Sequence, residues 1–280
     1  MNAVTTSLDI DDIERQLLDL PQAETHVFHK FENGHYIREL HMPAGCLALG
    51  HHQNFPQRNK FIKGKVEMFN LDGTTTILEA PMDFIGPAGR KAGLVLEDTV
   101  WQNIWKTDLT DVEQLETLYL TKSDAYLDMA AHQFAKISVS KTEDRNDYGN
   151  LILELGFTET QVQEQVNNPD DQIEMDLVGL TIAPSPIHGH GVFSTVHRHK
   201  GDMLGLAKLD HYRTPLGRWV NHSVKPNAEY VLHNGHIYLV AIEDIAGMTG
   251  GMLETEITVD YRKSLITNLH HLTNTRIGKY

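Results

Sequence analysis

The sequence holds a single cysteine, Cys46, in 280 residues. An intrachain disulfide is therefore impossible, and a cysteine-rich zinc cluster is excluded. Basic residues are scarce as well: 24 Lys and Arg face 38 Asp and Glu, a formal charge of −14. Non-specific binding to a phosphate backbone needs clustered Lys and Arg, so nucleic acid is not an expected partner. An acidic surface would instead attract a basic peptide at low salt. No apolar run approaches the ~18–20 residues of a membrane helix, and Met1-Asn2-Ala3-Val4 carries neither the basic nor the apolar block of a secretion signal. The expectation is a cytoplasmic chain with no membrane partner. No internal repeat or low-complexity tract is present. What remains is an ordinary globular composition, 40% hydrophobic and 22% charged, which suits one large domain or two ordinary ones.

Texture divides the chain into five parts. In 1–24 the apolar residues Leu8, Ile10, Ile13, Leu17 and Leu18 recur at helical spacing, with Ser7 or Asp9 as a cap and Pro21 as a stop. Residues 25–107 hold short runs (Val27–Phe31, Tyr36–Met42, Lys60–Phe69, Thr75–Glu79, Val100–Ile104) parted by turn signals such as Asn33-Gly34 and Asp72-Gly73. That pattern predicts a small β-barrel or sandwich. Residues 108–172 form a helical connector, with helices expected over Asp111–Leu120, Ser123–Phe134 and Thr158–Asn167 and a linker at Asn168-Pro169-Asp170-Asp171. Strand-like runs return in 173–262, at Leu177–Ile182, Gly191–Ser194, Ala228–Leu232, Ile237–Ile242 and Glu256–Asp260. A tail, 263–280, carries His270-His271 and ends on Tyr280. The fold class expected is mainly β with a helical connector.

Three local patterns occur in order in the last third. The first is His188-Gly189-His190-Gly191-Val192-Phe193, the second Arg218-Trp219-Val220-Asn221-His222-Ser223-Val224-Lys225-Pro226-Asn227, and the third Glu254-Thr255-Glu256-Ile257-Thr258-Val259-Asp260-Tyr261. Two glycines before a strand ordinarily mark a turn, but glycine also lets a backbone approach a ligand closely. His222 or Tyr261 taken singly reads as a core residue. Taken together and in order, the patterns resemble the SET-domain protein-lysine methyltransferases, whose motifs run G-x-G-[VI]-[FY], N-H-S-x-x-P-N and E-E-[LI]-T-x-[DS]-Y. The resemblance spans roughly 90 residues, 173–262.

That resemblance implies a short SET fold, a knotted β-clip in which the Asn-His-Ser segment and the C-terminal segment cross. It implies S-adenosyl-L-methionine as cofactor, held by His188, Gly189, His190, Gly191, Asn221 and His222, with Tyr261 as the catalytic residue at the mouth of a channel for a protein or peptide lysine. The chemistry accounts for these demands. Methyl transfer is an in-line displacement at carbon, so alignment is the main task. The nucleophile is a neutral amine, whereas a free lysine has a pKa of about 10.4; an apolar channel and an adjacent sulfonium favour the neutral form. Tyrosine and carbonyl oxygens steer the amine and stabilise the polarised methyl group. Thirty positions separate Gly191 from Asn221, which leaves only Gly205–Arg218 for the insert that often helps form the peptide groove in this family. The groove then falls to 108–172, to the tail, to another subunit, or is missing. The zinc-binding cysteines that often follow the family's last motif are absent, and Tyr280 is a candidate to close the channel instead.

Residues 25–107 are similar to cupins, small β-barrels with the pattern G-x5-H-x-H-x3-E-x6-G. Gly45, His51 and Gly64 fall on it, while Gln53 and Gln57 stand at the second histidine and the glutamate; in the second cupin motif Pro87 and Gly89 match and Ala92 replaces the histidine. Three of four ligand positions thus hold poor donors or none, so no metal is expected, and the barrel is read as a unit for packing, ligand binding or homo-oligomer assembly. Chains of this make-up also resemble phage-encoded SET proteins, which would place the protein in the host cytoplasm. Two functions remain in view: a methyltransferase, and a non-catalytic binding or virion assembly protein built on the same scaffolds.

Overall fold

The structure, a computed structural model, describes residues 10–70 and 72–268. Ser7, Asp9, His270-His271 and Tyr280 lie outside the described residues. Helix α1 (Ile10–Leu18) realises the N-terminal periodicity. Its Glu14 is buried beneath Arg90, whose Nη1 donates to Oε2 at 2.8 Å, and this pair ties the helix to the sheet behind it.

Eight strands follow: β1 (His26–Glu32), β2 (His35–Met42), β3 (Leu47–Leu49), β4 (His52–Gln53), β5 (Gln57–Phe69), β6 (Thr75–Glu79), β7 (Met82–Gly86) and β8 (Ala92–Lys106). Asn33 and Gly34, with φ of 51° and 70°, supply the left-handed pair that a two-residue hairpin turn between β1 and β2 requires. Seven of the strands form an antiparallel sheet ordered β1-β2-β8-β5-β6, with β3 also on β8 and β7 also on β5. The expectation of a barrel needs correction here: pairing among the described residues is an open path, and β4 leaves the sheet to pair with Leu120–Thr121. The first half of β5 alternates strictly, turning Gln57, Asn59 and Phe61 inward. The buried Asn59 is satisfied there, its Oδ1 accepting from Trp101 Nε1 at 3.0 Å and Asn103 Nδ2 at 2.8 Å.

The connector holds α2 (Val112–Tyr119), the short strand β9 (Leu120–Thr121), α3 (Asp124–Ser140), α4 (Thr142–Glu154) and α5 (Glu159–Val166). Three of these helices begin at residues whose side chains satisfy orphan N–H groups: Asp111 accepts from Gln114, Ser123 from Tyr126, and Thr158 forms a reciprocal box with Gln161. The proposed linker is a single tight turn, Pro169–Asp171.

The last part contains β10 (Leu180–Pro184), β11 (His190–Ser194), β12 (Met203–Leu209), β13 (Tyr212–Arg213), α6 (Pro215–Trp219), β14 (Asn221–His222), β15 (Ala228–His233), β16 (His236–Ala241) and β17 (Glu256–Val259). Helical turns continue over 261–268. Two small sheets form, β10-β11-β17-β14 and β13-β12-β16-β15. One pairing is parallel: β14 lies along β17, with Asn221 opposite Thr258 and His222 opposite Val259. Leu180, Val192, Leu204, Leu239, Ile245, Ile257 and Val259 fill the core between the sheets, each contributing on the order of 1.5–3 kcal/mol by leaving water. The chain is thus mainly β with a few helices. No helix among the described residues is long and apolar enough to cross a membrane.

Candidate functional site

The parallel pairing of β14 with β17 brings together residues that are far apart in sequence. Asn221 Nδ2 donates to the carbonyls of His188 (3.1 Å) and His190 (3.0 Å) and to Glu256 Oε1 (2.8 Å). Two amide hydrogens are shared among three acceptors. Ser185 Oγ lies 2.9 Å from both oxygens of Glu256 and accepts the Ile187 N–H, also at 2.9 Å, which folds the 185–189 turn onto the carboxylate. Burial pushes the Glu256 carboxyl above its ordinary range, opposed by the hydrogen bonds from Asn221 and Ser185. Gly191 must lack a side chain, because a β carbon there would collide with the Glu256 carboxylate. Asn227 clamps the same strand from the other side, donating to Glu256 O and accepting from Thr258 N, each at 2.8 Å.

His222 is only 1% exposed. Its Nδ1 accepts the Tyr261 N–H at 3.2 Å, so the ring proton is assigned to Nε2, which lies 2.7 Å from Asp147 Oδ2. Arg262 and then His222 hold the Asp147 carboxyl below its usual range. Both ring nitrogens of His222 are therefore engaged by protein. Tyr261 donates its hydroxyl to Val220 O at 2.9 Å, and burial pushes that hydroxyl far above the ordinary tyrosine pKa. Its ring meets Tyr148 edge-on at 6.2 Å. Tyr148 also packs on His188 at 5.2 Å and donates to Glu159 Oε2 at 3.0 Å, while His188 Nε2 lies 3.0 Å from Glu159 Oε1. His190 points the other way, toward Glu113 at 3.3 Å and Trp219.

All seven residues read from the sequence thus gather in one region. Sequence reasoning missed the side chains that α4 and α5 bring to it: Asp144, Asp147, Tyr148 and Glu159. Asp144 Oδ1 accepts from Ser223 Oγ at 2.8 Å and Val224 N at 2.9 Å, so α4 is fastened directly to the Asn-His-Ser segment. Ser185 and Glu256 were missed as site residues as well, although Glu256 lies inside the third motif.

Two observations bear on whether these residues suit S-adenosylmethionine. Gly189 has φ +50° and open space where a β carbon would stand, a cradle for close approach of a ligand to the backbone. The carboxylates of Glu113 and Glu159 flank the turn, an acidic setting that suits a sulfonium. The residues fit the cofactor to that extent. A cavity of about 830 Å³ lies beside this network, between α2, α3 and the β10-β11-β17 sheet. It is lined by Leu127, Phe134, Ile137, Phe193 and Met252 among others, and it meets the Asn221 network at Glu113, Asn227, Glu256 and Thr258.

At the cupin-like positions, burial lowers the His51 pKa to about 4, and its ring meets Tyr126 edge-on at 4.7 Å. His51 Nδ1, Gln53 Oε1 and Gln57 Oε1 are buried with no hydrogen-bond partner among the described residues. One imidazole and two amide oxygens do not match the donor sets that hold zinc, iron or manganese.

No protein-family model and no curated protein matches the chain. Solved structures similar to part of it include a cupin domain from Bordetella pertussis Tohama I, at 14% identity over 30% of this chain and 95% of that one, with a TM-score of 0.25. A cupin superfamily protein from Desulfitobacterium hafniense DCB-2 matches at 11% identity over 34% and 87%, with a TM-score of 0.25. Ectoine synthase from P. lautus matches at 14% identity over 38% and 84%, with a TM-score of 0.28.

Proposed function

We propose that the chain is an S-adenosylmethionine-dependent protein-lysine N-methyltransferase of the SET type, acting in the cytoplasm, with a cupin-like sheet over 26–106 that serves homo-oligomer assembly. The observation that carries the reading is Asn221, whose amide nitrogen joins the first and third motifs by three hydrogen bonds. Bound cofactor supplies a methyl group on a cationic sulfur. The backbone at Gly189 and Gly191, with Asn221 and the main chain of His222, holds it. Tyr261 stays protonated at any physiological pH. Because its hydrogen is committed to Val220 O, its oxygen is left to accept from the target amine and so orient the nitrogen lone pair. The tyrosine rings 148 and 261 exclude water and favour the neutral amine. Tyr148 on α4 and Glu159 on α5 lie beside Tyr261 and His188, which supports the connector, among the alternatives, as the source of a substrate groove.

A second reading, a non-catalytic binding or assembly protein, is favoured by a different observation: the Asn221 nitrogen and both His222 ring nitrogens are already spent on protein groups. Calorimetry with S-adenosylhomocysteine, and labelled methyl transfer to proteins of a cell lysate, separate the two. The enzyme reading expects saturable binding and incorporation that drops at least 100-fold in Tyr261→Phe (about 2.7 kcal/mol of transition-state stabilisation). No binding at millimolar ligand would sink it.

A further inference from the structure

The Asn221 network meets the start of β11, and the loop that follows the strand's other end carries a His-x-His sequence, His197-Arg198-His199. Arg198 exchanges both backbone hydrogen bonds with Ile245, each 2.9 Å, in an antiparallel bridge. In such a pair successive side chains alternate faces. His197 and His199 therefore share one face with Asp244, which neighbours Ile245 on the facing strand. One ligand atom from each of the three lies within 4.8 Å of the others. The imidazoles of His197 and His199 stand 4.7 Å apart, and His199 Nδ1 is 3.8 Å from Asp244 Oδ1.

The backbone around this trio is fixed. A β carbon at Gly247 would lie 2.7 Å from Val196 Cα and 2.8 Å from His197 N, so glycine is what lets the two segments approach. Lys200 N donates to Asp244 Oδ1 at 2.8 Å and His199 N to Asp202 Oδ2 at 2.8 Å. These bonds orient the Asp244 carboxylate and the 199–202 turn before any ligand arrives. Bonds of about 2.0–2.2 Å to zinc then require only a side-chain rotation of exposed groups.

We infer that His197, His199 and Asp244 form a site for a divalent transition cation, zinc above all. Two imidazoles and one carboxylate suit zinc, cobalt or nickel and not calcium or magnesium, which take oxygen ligands in greater number. Three protein ligands leave a coordination position for water. The bound ion cross-links the loop after β11 to the segment after β16, and so braces the strand that carries Gly191. This inference stands apart from the methyltransferase reading, because it uses none of the same side chains.

The test is titration of the chelator-stripped full chain with zinc by calorimetry and with cobalt by visible absorption, beside magnesium as a control. The expected result is one zinc per chain at this site and a cobalt spectrum of low coordination number. His199→Ala and Asp244→Asn, which alter exposed side chains, each weaken binding at least about tenfold, since losing even an outer-shell partner costs about 10–100-fold. A His270→Ala/His271→Ala variant binds as the wild type does. Absence of zinc binding at about 100 μM, or wild-type affinity in the His197→Ala/His199→Ala double variant, or loss confined to the His270/His271 variant, would overturn the assignment.

Discussion

Asn221→Ala separates a structural clamp from a simple cofactor ligand. The Asn221 nitrogen serves two backbone carbonyls and one buried carboxylate, at 3.1, 3.0 and 2.8 Å. A hydrogen bond to a charged group contributes about 1.5–3 kcal/mol and one to a neutral carbonyl about 0.5–1.5 kcal/mol. Alanine removes all three and leaves Glu256, only 5% exposed, with Ser185 as its remaining side-chain donor. The expected loss is about 3–5 kcal/mol of unfolding free energy without any ligand present. Asn221→Asp costs more at neutral pH, because it sets a second carboxylate against Glu256, and recovers part of the loss as pH falls and one carboxyl is protonated. Urea unfolding of both variants, followed by tryptophan fluorescence and circular dichroism, measures the effect. An alanine variant within about 1 kcal/mol of wild type would refute the reasoning, since it would mean the amide is not needed to join the three motifs.

Acid lability follows from His29 and His51, each lowered from 6.5 to about 4 by burial. Unfolding lets these rings take protons that the folded state refuses, so the stability they permit is whole above pH 6.5 and is lost progressively down to pH 4, by about 3 kcal/mol for each ring. A flat stability profile over that window would contradict the burial argument. The two glycines of the first motif part company on substitution: Gly191→Ala meets the Glu256 carboxylate and costs about 1–3 kcal/mol. Gly189→Ala meets open space and costs only the left-handed backbone, about 1–2 kcal/mol; it blocks the cradle, so it reduces cofactor affinity by more than it reduces stability, which calorimetry beside melting curves reads out. Tyr261→Phe loses the hydrogen bond to Val220 O, about 1 kcal/mol of stability, and far more of any methyl transfer.

Local structure was largely legible, because local signals caused it. Thr75–Glu79 was read with the bounds that β6 has, since Asp72-Gly73 and Pro81 punctuate it. Asp111, Ser123 and Thr158 marked three helix starts because each offers an oxygen to the N–H groups just beyond it. Partnership between distant segments was not legible. Nothing in His52-Gln53 says that it pairs with Leu120–Thr121, and a one-dimensional pattern cannot say whether a sheet closes. The order of three motifs points to Asn221, His222 and Tyr261, which the fold brings together, but not to the groups that hold them. His197 and His199 carry no signal in the sequence, because a His-x-His pair has no meaning until Asp244 is brought beside it.

Helix α4 shows why the boundary drawn at 172/173 divides composition better than it divides the site. Its sequence, Thr142 to Glu154, sets Asn146, Gly149 and Asn150 in the middle of the helix, residues that lower helix propensity. Its most buried polar residue is an aspartate, Asp144, so an apolar stripe does not announce it. What holds it is polar: Asp144 receives Ser223 and Val224, and Asp147 receives His222 and Arg262. For Ser223 and His222 these acceptors satisfy buried groups that would otherwise lack partners. The same helix places Tyr148 against Tyr261 and His188. The short stretch between β11 and Asn221 and the presence of α4 are therefore two sides of one arrangement. A segment with only β12, β13 and α6 to cover its site takes its cover from the connector, and the connector folds as a helix there because the site's own donors satisfy its carboxylates.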